Sequence, residues 1–525
     1  MKKIVNILVT VILIIGAIFI IKLMVSHNAY NEPINITVKN NDLTKDLTVE
    51  QKLEDFEYLY NTLKEKYPFF EVEKRKIGYD WLAHKEEFEN WIRSTKNNTE
   101  FYNTIKKIIS LLQDGHATLI TPEIFEGSKN DFKNEGPWRI FYHPVVEKDY
   151  EYWKQNVKNE TYILPVIFRY IEGKYVATGY TAQENTEKYG IPEGSVLLKI
   201  GELTPDEYVK ALKDKTILNY DYKRDRIISY YLFVYTDDMN TNVKLTLLTP
   251  DGRTIVKDLT GVEGTKFIKE NNNLKNLETA ILVDNKVAYL KIRRMEISEE
   301  LLNQEGKEIY EFLKKIKDYP YLVIDIRGND GGNDLYWQRN IVEPLVKEKI
   351  NYSWFLITRT RYQNSKTLDY LPKGRNYPPE LTKDFGYFLE MPMTIKPKNP
   401  VGFNGKIFLL TDSGVYSAAE SFASFAKATK WATLVGTPTS GGLGLNPKFF
   451  VLLNSGLIIR YPDTMVLNSD GSIDEEVGTW PDVYVEQSYE DFMNYLKNRK
   501  NIDENNILET MKYDTVLKKV LEMTR

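Results

Sequence analysis

Residues Lys406 to Gly444, KIFLLTDSGVYSAAESFASFAKATKWATLVGTPTSGGLG, constrain the fold of this chain more than any other stretch. They open with a short apolar strand, Ile407-Phe408-Leu409-Leu410, and turn through Thr411-Asp412-Ser413-Gly414. A helix begins at Tyr416-Ser417-Ala418-Ala419-Glu420, and Ala419, Phe422, Ala423 and Ala426 give it a small, apolar face at helical spacing. A second strand, Ala432 to Val435, and a Gly-rich loop follow. This order presents a serine hydroxyl where backbone N–H groups converge. Two readings of Ser417 are open at this point. It is a nucleophile, or Ser417-x-x-Glu420 is a capping box that only starts the helix.

A second unit of the same kind precedes it. Val287 to Ile292 reads as a strand, Ser298 to Lys317 as a charged amphipathic helix, and Tyr321 to Ile326 as a strand buried on both faces. Strand, helix, strand is the crossover grammar of an α/β domain. The last strand ends in Arg327-Gly328-Asn329-Asp330-Gly331-Gly332-Asn333, where glycines let backbone N–H groups face a ligand. It is not a phosphate loop, since neither G-x-x-x-x-G-K-[ST] nor G-x-G-x-x-G is present. Residues 350–404 are rich in Tyr, Pro and Lys with weak periodicity, and read as an inserted loop or small lid. Strands at Phe449–Leu453 and Leu457–Tyr461 follow, then Asp474-Glu475-Glu476-Val477-Gly478-Thr479-Trp480-Pro481-Asp482-Val483.

The whole chain of 525 residues is too long for one core, so the expectation is a multidomain α/β (α+β) protein. A net charge of −4 gives no basic field for nucleic acid. The absence of cysteine removes disulfides, thiolate nucleophiles and Cys-type zinc sites together. No metal or organic cofactor is expected. Residues 4 to 25 are apolar except for Asn6, Thr10 and Lys22, and Lys2 and Lys3 precede them. That pattern predicts a transmembrane signal anchor over 1–26 with the remainder outside the cytoplasm. A polar stalk over 27–47 leads to a helical bundle over 48–120, begun by the capping box Thr48-x-x-Gln51. The bundle ends at LLQDGHATL, which carries His116, one of only four histidines. Taken alone, a histidine behind a helix end is more often a surface or cap residue than a base. Residues 121–275 are β-rich, and within them about 162–260 carry a turn, a buried strand, a Gly turn and a short helix, the pieces of a degenerate PDZ-like module. The α/β part covers 276–488, and 489–525 read as a charged helical tail.

Four pieces in order, LLQDGHATL, YLVIDIRGNDGG, the strand-turn-Ser417 unit and EEVGTWPDVYV, resemble the S41 family of serine peptidases, the C-terminal processing proteases and their tricorn-like relatives. The resemblance implies a catalytic domain of the ClpP/crotonase-like α/β type. In one branch the serine is paired with a lysine of a T-x-G-K loop. Here that loop reads Thr439-Ser440-Gly441-Gly442, with Gly442 at the lysine position. The other branch uses the histidine of D-G-H-x-x-L, matched by Asp114-Gly115-His116-Ala117-Thr118-Leu119, and a carboxylate before G-x-x-P-D, matched by Glu475 with Glu476 as the alternative. The resemblance then implies Ser417 as nucleophile, His116 as base, Glu475 as orienter, and the N–H groups of Ala418 and of Gly331 or Gly332 as oxyanion hole. The expected partners are a peptide or protein substrate and the membrane, with the oligomeric state open. The rival expectation is a non-catalytic protein binding peptides or apolar ligands on the same fold.

Overall fold

A computed structural model of the chain describes residues 36–39, 42–132, 134–158, 160–179, 186–264, 275–296, 298–359, 377–443, 447–504 and 506–525. The expected anchor and most of the stalk lie outside the described residues. No helix among the described residues is long and apolar enough to cross a membrane.

The centre is a six-stranded sheet formed in chain order by β1 (Leu277–Val283), β2 (Val287–Ile292), β3 (Tyr321–Asp325), β4 (Lys406–Thr411), β5 (Thr433–Gly436) and β6 (Val483–Tyr484). β1 and β2 form a hairpin, and every later pair is parallel. Alternation along β3 and β4 sends Leu322, Ile324, Ile407 and Leu409 into one core and Val323, Phe408 and Leu410 into another. Both faces are covered, as the continuous apolar runs require. The helices Glu299–Lys315 and Ala418–Thr429 close the first core. The second is closed from the C-terminal tail, where the helix Thr515–Met523 inserts Val516, Leu517 and Val520. The tail is therefore part of the domain's core.

The stretch 48–120, expected to hold a small helical bundle, carries the helices Val49–Lys66, Phe70–Ile77, Lys85–Ser94 and Asn98–Ser110. Their apolar faces share one core with Phe450, Leu452, Leu457 and Ile459 of the C-terminal half. Four short helices lack the surface to bury one another fully, so they spread over a small sheet. That sheet joins Thr118–Leu119 to Ile458–Tyr461 and Lys448–Val451, with Leu119 opposite Ile459 and Thr118 opposite Arg460. The capping box at Thr48 forms as expected.

The β-rich region folds around its own core, including Leu164, Phe168, Leu232 and Leu245. Its seven strands run in the spatial order Val262–Glu263, Tyr162–Ile171, Lys174–Thr178, Val196–Ile200, Asn242–Leu248, Thr254–Thr260, with Tyr231–Thr236 also on Tyr162–Ile171. The helix Pro205–Ala211 is capped by Thr204. Within 350–404, expected to be an inserted loop or small lid, two strands are present. Ile350–Thr358 and Tyr387–Ile395 pair antiparallel over nine positions, and Met465–Leu467 adds a third strand. Alternation in WFLIT is too short to stand out among the surrounding tyrosines and prolines, while residues 360–376 between the strands lie outside the described set.

Asp55 ties the first helix to the C-terminal half. Its buried carboxylate accepts the backbone N–H groups of Asn454 at 2.7 Å and Ser455 at 2.9 Å. Removing it leaves two buried donors unsatisfied. Asp55→Ala should lower unfolding stability by about 3 kcal/mol in urea titrations. A loss below about 0.5 kcal/mol would contradict this role.

Candidate active site

The site begins where β4 ends. Asp412 Oδ1 accepts the N–H groups of Gly328 at 2.8 Å and Gly414 at 2.9 Å, which pins the loop after β3 to the loop after β4. Tyr416 N–H then donates to Asn329 O at 3.1 Å. The chain reaches Ser417 with φ 56° and ψ −122°, outside the regions open to ordinary L-residues, and the helix starts at the next residue. Backbone strain of this kind is held only where the surroundings over-determine it. The capping-box reading of Ser417 is corrected, since its side chain caps nothing and Glu420 instead accepts from Thr479 Oγ1 at 2.5 Å. A serine with φ above zero turns its hydroxyl away from the helix it precedes.

His116 arrives from the other side. Asp114 Oδ1 accepts the His116 N–H at 2.7 Å, which shapes the turn, and the strand pairing of Thr118 and Leu119 fixes its far end. His116 Nε2 lies 3.2 Å from Ser417 Oγ, across 301 positions of sequence. Its Nδ1 lies 3.2 Å from the Tyr416 hydroxyl, which in turn lies 3.4 Å from Asp114 Oδ1. If the hydroxyl donates to the carboxylate, it accepts from Nδ1–H, and the lone pair of the neutral ring is left on Nε2, facing serine.

Glycines make room for Tyr416. A Cβ on Gly442 would sit 2.0 Å from its ring, and one on Gly115 would sit 3.1 Å from it. A lysine at 442 and this ring could not occupy their places together. Lys427, within the helix, pairs with Asp482.

Glu475 and Glu476 separate cleanly. Glu476 forms a two-pronged pair with Arg75, at 2.7 Å for each contact. Glu475 is buried, as are Glu73 and Asp114, and the half-buried Lys76 donates from Nζ to the Glu475 carbonyl at 3.0 Å. Burial, with Asp114 adding to it and Lys76 opposing, pushes the Glu475 carboxyl well above the usual range. Burial also raises Glu73 to about 8 and raises Asp114. The group at hydrogen-bond distance from His116 Nδ1 is thus Tyr416, with the carboxyl cluster of Asp114, Glu475 and Glu73 around it.

Around Ser417 the backbone of the loop after β3 is close. A Cβ on Gly331, whose φ is 107°, would lie 2.6 Å from Ser417 Cβ and 2.9 Å from Ala418 N. The Gly331 N–H is already used, donating to Asn329 Oδ1 at 3.0 Å. Gly332, at φ 135°, is held by a bridge to Met295, whose N–H donates to Gly331 O at 2.9 Å. Ser417 and His116 line a cavity of about 1680 Å³ that extends between the β-rich region, the catalytic sheet and the tail. Burial, aided by the positive charge of Arg460, lowers the His116 pKa to about 3, so the ring is neutral across the physiological range.

Ser417, His116 and the glycine loops thus come together. Tyr416 and Arg460 were not singled out from sequence. Tyr416 is adjacent to the candidate nucleophile, but in a chain with 36 tyrosines its type carries no signal. Arg460 sits in an unremarkable strand, and only the pairing with Thr118 brings it beside His116.

Comparison with known proteins bears on the domain that carries Ser417. Residues 286–485 match the model of peptidase family S41. No curated protein matches the sequence. Among solved structures, mature CPAF complexed with lactacystin superposes with a TM-score of 0.55 at 14% identity, covering 86% of this chain and 98% of that one. A second structure of mature CPAF gives 0.54 at 14% identity, covering 86% and 96%. At such identity the likeness is one of fold. The family match thus identifies residues 286–485 as a domain of the serine peptidase family S41.

Proposed function

We propose that Ser417 is the nucleophile and His116 the general base of a peptidase that cleaves peptides or unfolded protein segments through an acyl-enzyme. The observation that carries this reading is the 3.2 Å contact between His116 Nε2 and Ser417 Oγ, made by a serine held at positive φ. A serine hydroxyl is a weak nucleophile until a base takes its proton, and a neutral imidazole at hydrogen-bond distance is suited to do so. Ser417 Oγ attacks the scissile carbonyl while its proton passes to Nε2. The imidazolium then protonates the leaving amine, and water repeats the cycle on the ester. The Ala418 and Gly332 N–H groups serve the developing oxyanion, because the Gly331 N–H is committed to Asn329.

In this reading Tyr416 does the local positioning and the carboxylates act behind it. The hydroxyl holds Nδ1–H, and Asp114 Oδ1 in turn accepts from the hydroxyl, which fixes the ring's orientation. Glu475 is then a buried member of the carboxyl cluster behind Tyr416, and Glu476, paired with Arg75, has no part. The rival reading, a binding protein without hydrolysis, drew its weight from a remote His116, and the close contact removes that support. We further propose residues 4 to 25 as a membrane anchor that keeps the peptidase outside the cytoplasm, on the apolar run alone. The β-rich region, with its capped helix, is proposed as a PDZ-like element that presents extended substrate to the cavity.

In peptide-hydrolysis assays on the full chain, Ser417→Ala should abolish turnover and His116→Ala should lower kcat by about a hundredfold or more. Retained turnover in Ser417→Ala would overturn the assignment. The pH profile gives a second check. A base whose folded pKa lies near 3 stays competent in mild acid, so the acid limb of kcat/KM should fall below about pH 5. A limb centred near 6.5 would contradict the buried, neutral ring. The same shift predicts that this histidine's share of stability is present above pH 6.5 and is lost as pH falls toward 3, where only the unfolded chain takes up the proton. Tyr416→Phe should reduce kcat about tenfold with KM unchanged and should move the acid limb, effects that a purely structural tyrosine would not produce.

A further inference from the structure

Of the arginines that line the large cavity, Arg327 is held by Asp325 and Asp514, and Arg169 lies over the rings of Tyr231 and Phe492. Arg460 has no ion pair among the described residues, and its Nε is fully buried without a hydrogen-bond partner. A guanidinium stays charged in a protein, so burying it unpaired is costly unless something arrives to satisfy it. Its position is fixed, because its backbone is paired across to Thr118 on one side and Phe449 on the other. Thr118 is two residues from His116, and His116, Phe449, Arg460 and Ser417 all line the cavity. Asp114, whose charge acts on Arg460, uses Oδ1 for the His116 N–H and the Tyr416 hydroxyl, while its Oδ2 is buried without a hydrogen-bond partner and forms no ion pair with Arg460.

We infer that Arg460 is a receptor for a carboxylate of the bound peptide, seated beside the Ser417–His116 pair. The inference rests on the peptidase reading above and names the substrate chemistry of that site. The planar guanidinium fork matches a carboxylate in two-pronged geometry, and in a sheltered cavity such a contact is strong. The carboxylate is either the peptide's own C-terminus or a Glu or Asp side chain. Its arrival also neutralises the positive charge that faces His116, so occupancy by a substrate of this class makes the imidazolium easier to form.

The test uses the full chain carrying Ser417→Ala and measures binding by calorimetry, so that it does not depend on turnover. Two peptide pairs are compared, one differing as C-terminal acid against amide and the other as internal Glu against Gln. The acid form of at least one pair should bind about tenfold more tightly, the pair that responds identifying the source, and the difference should shrink below about twofold when Arg460→Gln is added. Equal binding within both pairs, unmeasurably weak binding included, overturns the inference. So does a difference that survives Arg460→Gln, as capture of a terminus elsewhere on the chain would give. Should that variant fail to fold, Arg460→Lys is read instead, since it keeps the charge and loses the fork. A reduced difference there supports the inference, and an undiminished one counts against it. Cleavage of the peptides by the Ser417→Ala chain, followed by mass spectrometry, would show separately that the peptidase reading itself had failed.

Discussion

The short pairing of Thr118–Leu119 with Ile459–Arg460 is the contact on which the site depends. It is only two residues long, yet it carries His116 from the N-terminal helices to a serine on the far side of the chain. The helices cannot hold it there alone, because their core is completed by Phe450, Leu452, Leu457 and Ile459. Asp55, buried on the loop at Asn454 and Ser455, locks the same junction. The N-terminal region is therefore one half of the candidate site's geometry, and stability at this seam and the placing of His116 beside Ser417 are the same physical property.

Strain and close approach define the other half. Ser417 is held at φ 56° by neighbours that leave no slack. Gly331 is pressed on its Cβ, Asn329 holds the preceding N–H, and Asp412 binds two loops together. Tyr416 fills the space that Gly442 vacates and takes the histidine's other nitrogen. What would be a lysine's place in a serine-lysine arrangement is here an aromatic ring whose hydroxyl bridges toward Asp114. Carboxylates crowded below it sit above their usual pKa range, since burial disfavours their charge before any partner is counted.

Much of this was legible in the residues. The apolar runs at Tyr321–Ile326 and Ile407–Leu410 announced buried parallel strands, and the glycines at 331 and 332 marked close backbone approach. Ser417 and His116 could be paired only by resemblance, because no local pattern links residues so far apart. The capping-box signal at Ser417 and Glu420 was misleading, since the same spacing serves a strained turn when a neighbouring loop takes the glutamate. Tyr416 and Arg460 were illegible for a related reason. Each gains its role from a neighbour distant in sequence, the first from His116 and the second from Thr118. The hairpin at 350–395 was hidden by tyrosines and prolines that blur its alternation.

The central claim is that Ser417, activated by His116, forms the covalent bond to substrate. It is tested most directly by reacting the full wild-type chain with a fluorophosphonate and mapping the adduct by peptide mass spectrometry. The account predicts one adduct, on Ser417, formed far more slowly in His116→Ala. An adduct on another residue, or an undiminished rate of Ser417 modification without His116, would contradict it.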